Sequence, residues 1–291
     1  MNGVRTTLAH GGADRSKIRH NKRNSTPAHP PTPVMTWNPE QYLKFAEPRT
    51  RPALDLISRI DSDQPQRIFD LGCGTGNVTQ LIKARWPDAD ITGVDDSAEM
   101  LARAKEVVNG VTWQQQSLAH WVVEDGAPAD VIYSNAALHW VHDHAQLFPR
   151  LLTQLAPGGV LAVQMPRNFE APSHTLIAET VRSGPWQARL EVLLKPPPVS
   201  VPAFYYDLLA PLTSSLDIWE TEYLQVLEGD DPVKEWTKGT WLTQFLDALP
   251  TDAAAERFEA DYAARLRAVY PPRSDGKTLF PFRRLFIIAK R

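Results

Sequence analysis

A glycine-rich turn between a predicted strand and a predicted helix constrains the fold of this chain more than any other feature. The run GCGTG at residues 72–76 follows the short apolar segment 67–71 and precedes a helical pattern that begins at Asn77. Glycines lack a Cβ, so they let the backbone turn tightly and approach a ligand closely. In an open α/β sheet, the carboxyl end of the first strand lies beside the point where ligands bind. We therefore expect a ligand site built on a parallel sheet.

Strand and helix patterns alternate along the chain on both sides of this turn. After a helical segment at 52–60, short apolar runs predict strands at 67–71, 90–94, 111–115, 129–134 and 160–165. Helical spacing predicts helices at 77–86, 98–108, 144–155, 173–183 and 203–212, and two more apolar runs predict strands at 217–227 and 279–289. Such alternation predicts right-handed βαβ units. The expected fold is α/β, a Rossmann-like, doubly wound and mostly parallel seven-stranded sheet.

Two segments stand apart from this pattern. Residues 1–34 carry six Lys and Arg residues against the single acid Asp14, and they show no apolar periodicity. We expect this segment to be disordered. It has three interpretations: a flexible tail, a start codon placed upstream of a true start at Met35, or a functional basic arm. The folded domain is expected to span 35–291. Within it, residues 229–278 contain the strongly helical pattern 253–269 and predict either a helical cap over the substrate or a stabilising appendage.

Composition narrows the class of partner. The chain has 291 residues, a formal net charge of -3 and one cysteine, Cys73. This charge does not favour non-specific binding to nucleic acid or to an anionic membrane, and one cysteine excludes an internal disulfide. No apolar run reaches the ~18 residues of a membrane span, and the first residues show no apolar h-region after their charges. We therefore expect neither a membrane span nor a secretory signal. We expect a cytoplasmic monomer that acts on a small molecule and holds no metal.

The spacing of the turn indicates which cofactor it binds. A dinucleotide fingerprint would place a third glycine where Asn77 stands, so a nicotinamide cofactor is disfavoured. Asp95 closes the second predicted strand, where a carboxylate accepts both hydrogen bonds of a ribose diol. The turn and Asp95 together predict a site for an adenosine-containing cofactor.

The motifs 70–77, 95–100, 130–141 and 156–159 resemble the successive motifs of class I S-adenosylmethionine-dependent methyltransferases. Shorter segments are similar, more narrowly, to the trans-aconitate 2-methyltransferase family: 37–39, 42–43, 49–52, 138–141, 161–166, 172–174, 205–207, 217–219, 238–240 and 284–289. The resemblance runs from Trp37 to the end of the chain. It implies transfer of a methyl group from S-adenosylmethionine to a carboxylate of trans-aconitate, with related polycarboxylates as slower acceptors.

The resemblance also implies the site residues. The cofactor would be bound by Asp70, Gly72, Gly74, Asp95, Met100, Ser117, Leu118 and Asn135, and the substrate by Arg51, Trp140, His174, Tyr205 and Arg284. Two positions depart from the family pattern. The residues 117–118 replace a common aspartate that contacts adenine, and Trp241-Leu242-Thr243 replaces a cap segment that often holds an arginine, so the acceptor acid stays open.

Methyl transfer to a carboxylate requires that the enzyme position the two reactants, and it requires little proton transfer. A carboxylate is already ionised at neutral pH, so no catalytic acid or base is assigned. The remaining carboxylates of a polycarboxylate need cationic or hydrogen-bonding anchors. Each candidate anchor also has a structural interpretation: Arg51 as a helix cap, His174 as a helix-start residue, Tyr205 as a core residue, and Arg284 as a surface residue beside an edge strand.

A histidine cluster and four aromatic residues each allow a ligand-binding and a structural interpretation. The histidines at 139, 142 and 144 predict a solvated turn rather than a metal site, and Trp219, Tyr223, Trp236 and Trp241 predict packing rather than ligand stacking. Two further functions compete with the main one. One is methyl transfer to a different small or carrier-bound carboxylate, and the other is a non-catalytic sensor that binds an adenosine cofactor.

Overall fold

The computed structural model describes residues 50–124 and 126–291. The expectations about residues 1–34, and the similar segments at 37–39 and 42–43, lie outside the described residues. Within the described part, no helix is long and apolar enough to cross a membrane.

A seven-stranded sheet forms the centre of the fold, in the order β3-β2-β1-β4-β5-β7-β6. Its strands are β1 (Arg67–Leu71), β2 (Asp90–Asp95), β3 (Thr112–Gln115), β4 (Ala129–Asn135), β5 (Leu155–Pro166), β6 (Ser215–Leu227) and β7 (Thr278–Lys290). The first five strands are parallel, whereas β7 runs antiparallel to both β5 and β6. The expected doubly wound α/β class and its seven strands are therefore confirmed.

Helices follow the strands in the expected order. On the parallel half lie α1 (Arg51–Ser58), α2 (Asn77–Arg85), α3 (Ala98–Val107) and α4 (His144–Thr153). After β5 come α5 (Pro172–Ser183), α6 (Gln187–Leu190) and α7 (Pro202–Leu209), and between β6 and β7 come α8 (Pro232–Thr237), α9 (Thr243–Asp247) and α10 (Asp252–Val269). A π-helical turn, Lys238–Leu242, joins α8 to α9. The segment between the last two strands is thus mainly helical.

Two apolar clusters support this arrangement. The first lies on the parallel half of the sheet and includes Leu71, Phe148 and Leu161, all at most 1% exposed. The second joins α5 to the helices between β6 and β7, through residues such as Ile177 and Phe258. The helices of 229–278 therefore share one apolar cluster with α5.

The sheet topology decides where a site can form. The parallel strands β1, β2, β4 and β5 all end at one edge of the sheet. Because β7 is antiparallel, its first half lies at that same edge, where Arg284 pairs with Pro166. Ligands of open α/β sheets bind at this carboxyl edge.

Candidate functional site

The glycine turn after β1 is held against the end of β2. The backbone N–H groups of Gly72 and Cys73 both donate to the carbonyl of Val94, at 2.8 and 3.1 Å. Gly72 has φ +78°, and a Cβ there would lie 2.1 Å from the Cβ of Ala137. Only glycine suits this position, because any other residue would be strained at this positive φ and its Cβ would clash with Ala137. The close fit places the turn directly against the end of β4.

Gly74 lies at the open side of this turn. Its φ is +53°, and a Cβ built there would have no atom within 4 Å. Its N–H donates to Asp95 Oδ2 at 2.9 Å, and the N–H of Ser97 donates to Asp95 Oδ1 at 3.0 Å. Each carboxylate oxygen has further lone pairs, and the side chain is half-buried. The structure therefore brings Gly72, Gly74 and Asp95 together, with open space in front of Gly74.

Asp70 has a different position from its neighbours. Its side chain is 2% exposed, and Oδ2 accepts a hydrogen bond from the Thr79 hydroxyl at 2.6 Å. Burial raises the pKa of this carboxyl to about 7, with the Thr79 hydrogen bond opposing the shift and the charge of Asp95 adding to it. Asp70 thus ties the end of β1 to α2 beneath the turn. Asp70 is therefore buried below the turn and does not face the open side of it.

The remaining expected cofactor residues surround the same end of the sheet. Met100 is 39% exposed in the first turn of α3, whose N-cap is Ser97. Ser117 is exposed, and the Leu118 side chain comes within 3.4 Å of a Cβ built at Gly72. Asn135 ends β4, and its Oδ1 is buried without a hydrogen-bond partner among the described residues. Such an atom beside a ligand-sized space points to a polar ligand group.

A cavity of about 270 Å³ opens beside Asn135. It is enclosed by the carboxyl edge of the sheet, the start of α5 and the helices between β6 and β7. The lining residues are Asn135, Ala136, His139, Trp140, Pro166, Asn168, Phe169, His174, Trp236, Thr237, Thr240, Trp241, Phe282 and Arg284. Four expected site residues, Asn135, Trp140, His174 and Arg284, therefore share one cavity.

Two uncommon backbone conformations occur around this cavity. Ala136 has φ +54°, which is uncommon for a residue with a side chain. Its N–H donates to the Gln164 carbonyl at 2.9 Å, which holds the strained residue against β5. On the opposite wall, Thr240 and Trp241 lie in the π-helical turn, a conformation that often occurs at functional sites.

Arg284 supplies the permanent charge of the cavity. It is 6% exposed, and Nη1 donates to Gln164 Oε1 at 3.3 Å. Its guanidinium carbon lies 4.8 Å from the ring centroid of Phe282. Of the described lining residues, only Arg284 is permanently charged. The interpretation of Arg284 as a surface residue is therefore wrong, since the side chain is buried and lines the cavity.

Two histidines line the cavity in the neutral form. Burial lowers the pKa of His174 to about 4. Burial, the positive charge of Arg284 and the neighbouring His144 lower the pKa of His139 to about 3. The expected solvated turn is wrong for His139 and His144, which are 7% and 6% exposed, whereas His142 is exposed. Within residues 50–124 and 126–291, no cluster of His, Cys, Asp or Glu side chains is suited to a metal.

Five of the described residues that line the cavity are Trp or Phe. Trp140 and Trp241 stack with ring centroids 6.1 Å apart, and Phe169 meets Trp241 edge-on at 5.3 Å. Trp236 also lines the cavity, whereas Trp219 stacks on Phe286 at 4.8 Å. The expected packing role therefore fits Trp219, while Trp236 and Trp241 combine packing with a place in the cavity wall.

Two expected substrate residues do not line this cavity. Tyr205 is fully buried in the first apolar cluster, where its hydroxyl lies 2.7 Å from His144 Nδ1 and accepts from the Ser200 N–H at 3.2 Å. Arg51 is exposed in the first turn of α1, with its guanidinium carbon 5.3 Å from the ring centroid of Tyr223. These positions favour the structural interpretation for Tyr205 and place Arg51 outside the cavity lining.

Sequence reasoning missed several lining residues, notably His139, Asn168, Phe169 and Phe282. For Phe282 a signal existed, because it alternates with Phe280 and Arg284 on one face of β7. Asn168 and Phe169 follow β5 in a loop that has no periodicity to interpret. Their place in the cavity depends on contacts with distant helices.

Comparison with known proteins agrees with this architecture. A family profile described as a methyltransferase domain matches residues 68–159. The trans-aconitate 2-methyltransferase of Azoarcus sp. (strain BH72) is 49% identical over 256 residues, covering 88% of this chain and 99% of that protein. The enzyme of the same name from Rhodopseudomonas palustris (strain BisB18) is 45% identical over 254 residues, covering 87% and 98%.

A solved structure shows the same fold at low sequence similarity. The YcgJ protein from Bacillus subtilis superposes with a TM-score of 0.51 at 16% identity, covering 82% of this chain and 96% of that one. The extensive identity to the two named relatives, together with the domain match, shows the family. The chain belongs to the trans-aconitate 2-methyltransferase family of class I S-adenosylmethionine-dependent methyltransferases.

Proposed function

We propose that this chain methylates a carboxylate of trans-aconitate, with S-adenosylmethionine as the methyl donor. The observation that carries the proposal is the adjacency of two features at one edge of the sheet. The glycine turn and Asp95 form an open cradle, and the cavity that contains Arg284 begins at Asn135, beside that cradle.

The residues of the cradle suit the cofactor. Asp95 would accept the ribose hydroxyls, and the space in front of Gly74 admits a ligand against the backbone. Asn135 Oδ1, which has no partner among the described residues, would accept from the amino group. Met100 and the backbone at 117–118 would flank the adenine. The bound cofactor supplies an electrophilic methyl group on a sulfonium. The positive charge of the cofactor suits the carboxylate of Asp95 at this edge.

The cavity residues would hold and orient the acceptor. An acceptor carboxylate is ionised at neutral pH, so the neutral side chains of His139 and His174 are not needed as bases. The buried Arg284 would anchor a carboxylate that does not react, and the aromatic wall would exclude water around the reacting one. Positioning at close range accounts for catalysis in such a site.

A second candidate is favoured by the aromatic wall itself. Trp140, Phe169, Trp236, Trp241 and Phe282 surround a single permanent charge among the described lining residues. This composition suits an acid that has an apolar part and a single carboxylate, which is the one that reacts. Methyl transfer to another small carboxylic acid is therefore the alternative activity.

One assay separates these functions. Release of S-adenosylhomocysteine is measured with trans-aconitate, cis-aconitate, fumarate, crotonate and cinnamate as acceptors. We expect the highest kcat/KM with trans-aconitate and slower turnover with cis-aconitate. A preference for cinnamate would select the second candidate. Cofactor binding without turnover of any acid would contradict both and favour a cofactor sensor.

Arg284→Met tests the assigned anchor, with exposed Arg283→Met as its control. We expect Arg284→Met to raise the KM for trans-aconitate strongly and to leave the affinity for S-adenosylhomocysteine unchanged. Equal effects of the two substitutions would remove Arg284 from the site.

A further inference from the structure

Gln164 lies beside Arg284 in the sheet, although it does not line the cavity. In the antiparallel pairing of β5 with β7, Gln164 faces Phe286 and Arg284 faces Pro166, an offset of two residues. Residues two apart on a strand share a face of the sheet, so both side chains lie on the same face. Gln164 is fully buried and accepts from Arg284 Nη1 through Oε1.

The orientation of the Gln164 amide follows from this contact. A guanidinium has donors but no acceptor, so the amide must present its oxygen to Arg284. Its nitrogen, Nε2, then lies on the other side, buried and without a hydrogen-bond partner among the described residues. Buried polar atoms in native proteins are nearly always paired. The buried contact with Arg284 is thus the hydrogen bond that the structure gives to the Gln164 amide.

His139 is a second buried polar side chain near the same guanidinium. It lines the cavity together with Arg284, and its Nδ1 is buried without a partner in the described part of the chain. The positive charge of Arg284 helps to lower the pKa of His139. The ring is therefore neutral and offers one N–H donor and one acceptor. The guanidinium keeps the positive charge, and a hydrogen-bonding ring lies near it.

We propose that Gln164 positions the Arg284 guanidinium to bind a non-reacting carboxylate of the acceptor, and that His139 completes this carboxylate subsite as a hydrogen-bonding group. Gln164 itself does not touch the acceptor and acts through Arg284. The subsite selects acids that carry a second carboxylate over monocarboxylates. The inference rests on the proposed function, since it assumes that the acceptor enters this cavity.

The first test of this proposal replaces Gln164 with Met, which has a similar length and no hydrogen-bonding group at its end. Gln154→Met is the matched control, because Gln154 lies just before β5 at the opposite edge of the sheet, where its Oε1 accepts from the Val123 N–H at 3.0 Å. Calorimetry measures trans-aconitate binding to protein saturated with S-adenosylhomocysteine. We expect Gln164→Met to raise the Kd of trans-aconitate about tenfold or more and Gln154→Met to leave it unchanged.

A double-mutant cycle asks whether Gln164 acts through Arg284. The Gln164→Met substitution should add little to the loss already caused by Arg284→Met, because a positioning residue has no effect once the group that it positions is gone. A purely structural role would give additive losses and would overturn the proposal. His139→Leu should also weaken trans-aconitate binding, whereas His139→Gln, which keeps an N–H donor, should retain most of it.

Gln164→Glu is the second variant if Gln164→Met does not fold. A carboxylate at this position would pair with Arg284, so we expect a folded protein that no longer binds trans-aconitate. Wild-type affinity in either Gln164 variant would overturn the proposal. So would equal affinity of the wild-type complex for trans-aconitate and for crotonate, which has a single carboxylate, or no binding of trans-aconitate at all.

The results also distinguish this subsite from the proposed function. If trans-aconitate binds in a manner that depends on Gln164 but no acid is methylated, the proposed function fails and the subsite stands. If trans-aconitate is methylated with unchanged constants in the Gln164 variants, the subsite fails and the proposed function stands.

Discussion

The carboxylate of Asp95 accepts a hydrogen bond from the backbone N–H of Gly74, with 2.9 Å between N and Oδ2. This contact ties the end of β2 to the turn that follows β1. Asp95 thus holds the glycine turn in place and lies beside the open space in front of Gly74. The shape of the cradle and its ability to bind a ribose depend on the same side chain.

Asp95→Ala should weaken the binding of S-adenosylhomocysteine by about 3 kcal/mol, because hydrogen bonds to a charged acceptor contribute about 1.5–3 kcal/mol each. Isothermal titration calorimetry measures this loss as a rise in Kd of about a hundredfold. The adjacent, exposed Asp96→Ala is the control and should bind normally. Unchanged affinity in Asp95→Ala would refute its role in the cradle.

Gly72→Ala and Gly74→Ala should separate folding from cofactor binding. At Gly72 a methyl group meets the Ala137 Cβ at 2.1 Å, so overpacking and the positive φ should together cost about 2–4 kcal/mol. At Gly74 only the positive φ is unfavourable, but the methyl group enters the open space of the cradle. We expect a lower Tm for Gly72→Ala, and for Gly74→Ala a near-normal Tm with weakened cofactor binding. The reverse pattern would contradict this geometry.

Tyr205→Phe should lower stability without changing the KM for the acceptor. Removal of the hydroxyl leaves the buried His144 Nδ1 and the Ser200 N–H without this partner, at a cost of about 1–3 kcal/mol. Urea unfolding measures the loss, and the exposed neighbour Tyr206→Phe is the control. A higher KM with unchanged stability would restore Tyr205 as a substrate residue.

Asp70 should make stability depend on pH in a specific direction. Its pKa is raised from 3.8 to about 7, so the folded protein binds the proton more tightly than the unfolded chain does. The resulting stabilisation is present below about pH 4 and is lost as the pH rises through 7. Asp70→Asn cannot titrate, so its free energy of unfolding relative to the wild type should increase between pH 4 and 8, on the order of a few kcal/mol.

Urea unfolding of the cofactor-free protein at pH 5 and pH 8 checks this expectation. The exposed Asp88→Asn is the control, and its curve should run parallel to that of the wild type. A parallel curve for Asp70→Asn as well would show that the Asp70 carboxyl does not titrate in this range.

The strands were predictable because their signals are local, but their ends were not. The fifth strand was expected at 160–165, whereas β5 begins at Leu155. Two pairings extend the strand: Leu155 pairs with Ala129 of β4, and the chain end joins the next residues. The Gly158 N–H donates to the Arg291 carbonyl, and the Arg291 N–H donates to the Gly159 carbonyl, both at 2.9 Å. A pairing between residues more than 130 positions apart leaves no trace in the local pattern.

The cradle could be predicted from local sequence patterns, whereas the cavity could not. Gly72, Gly74 and Asp95 were recognisable because a tight turn and the end of a strand require particular residue types nearby in sequence. The cavity takes residues from β4, the loop after β5, α5, the π-helical turn and β7. No short segment contains enough of it to be recognised from residue patterns alone.

The sequence by itself determined the parallel sheet and the position of its cofactor turn, because periodicity and positive φ act over a few residues. Only the tertiary structure decided which candidate anchors meet. Arg284 reaches the cavity because an antiparallel β7 returns it to the carboxyl edge beside Pro166, while the packing of α7 buries Tyr205 in the core. Both outcomes depend on long-range packing, which residue spacing does not encode.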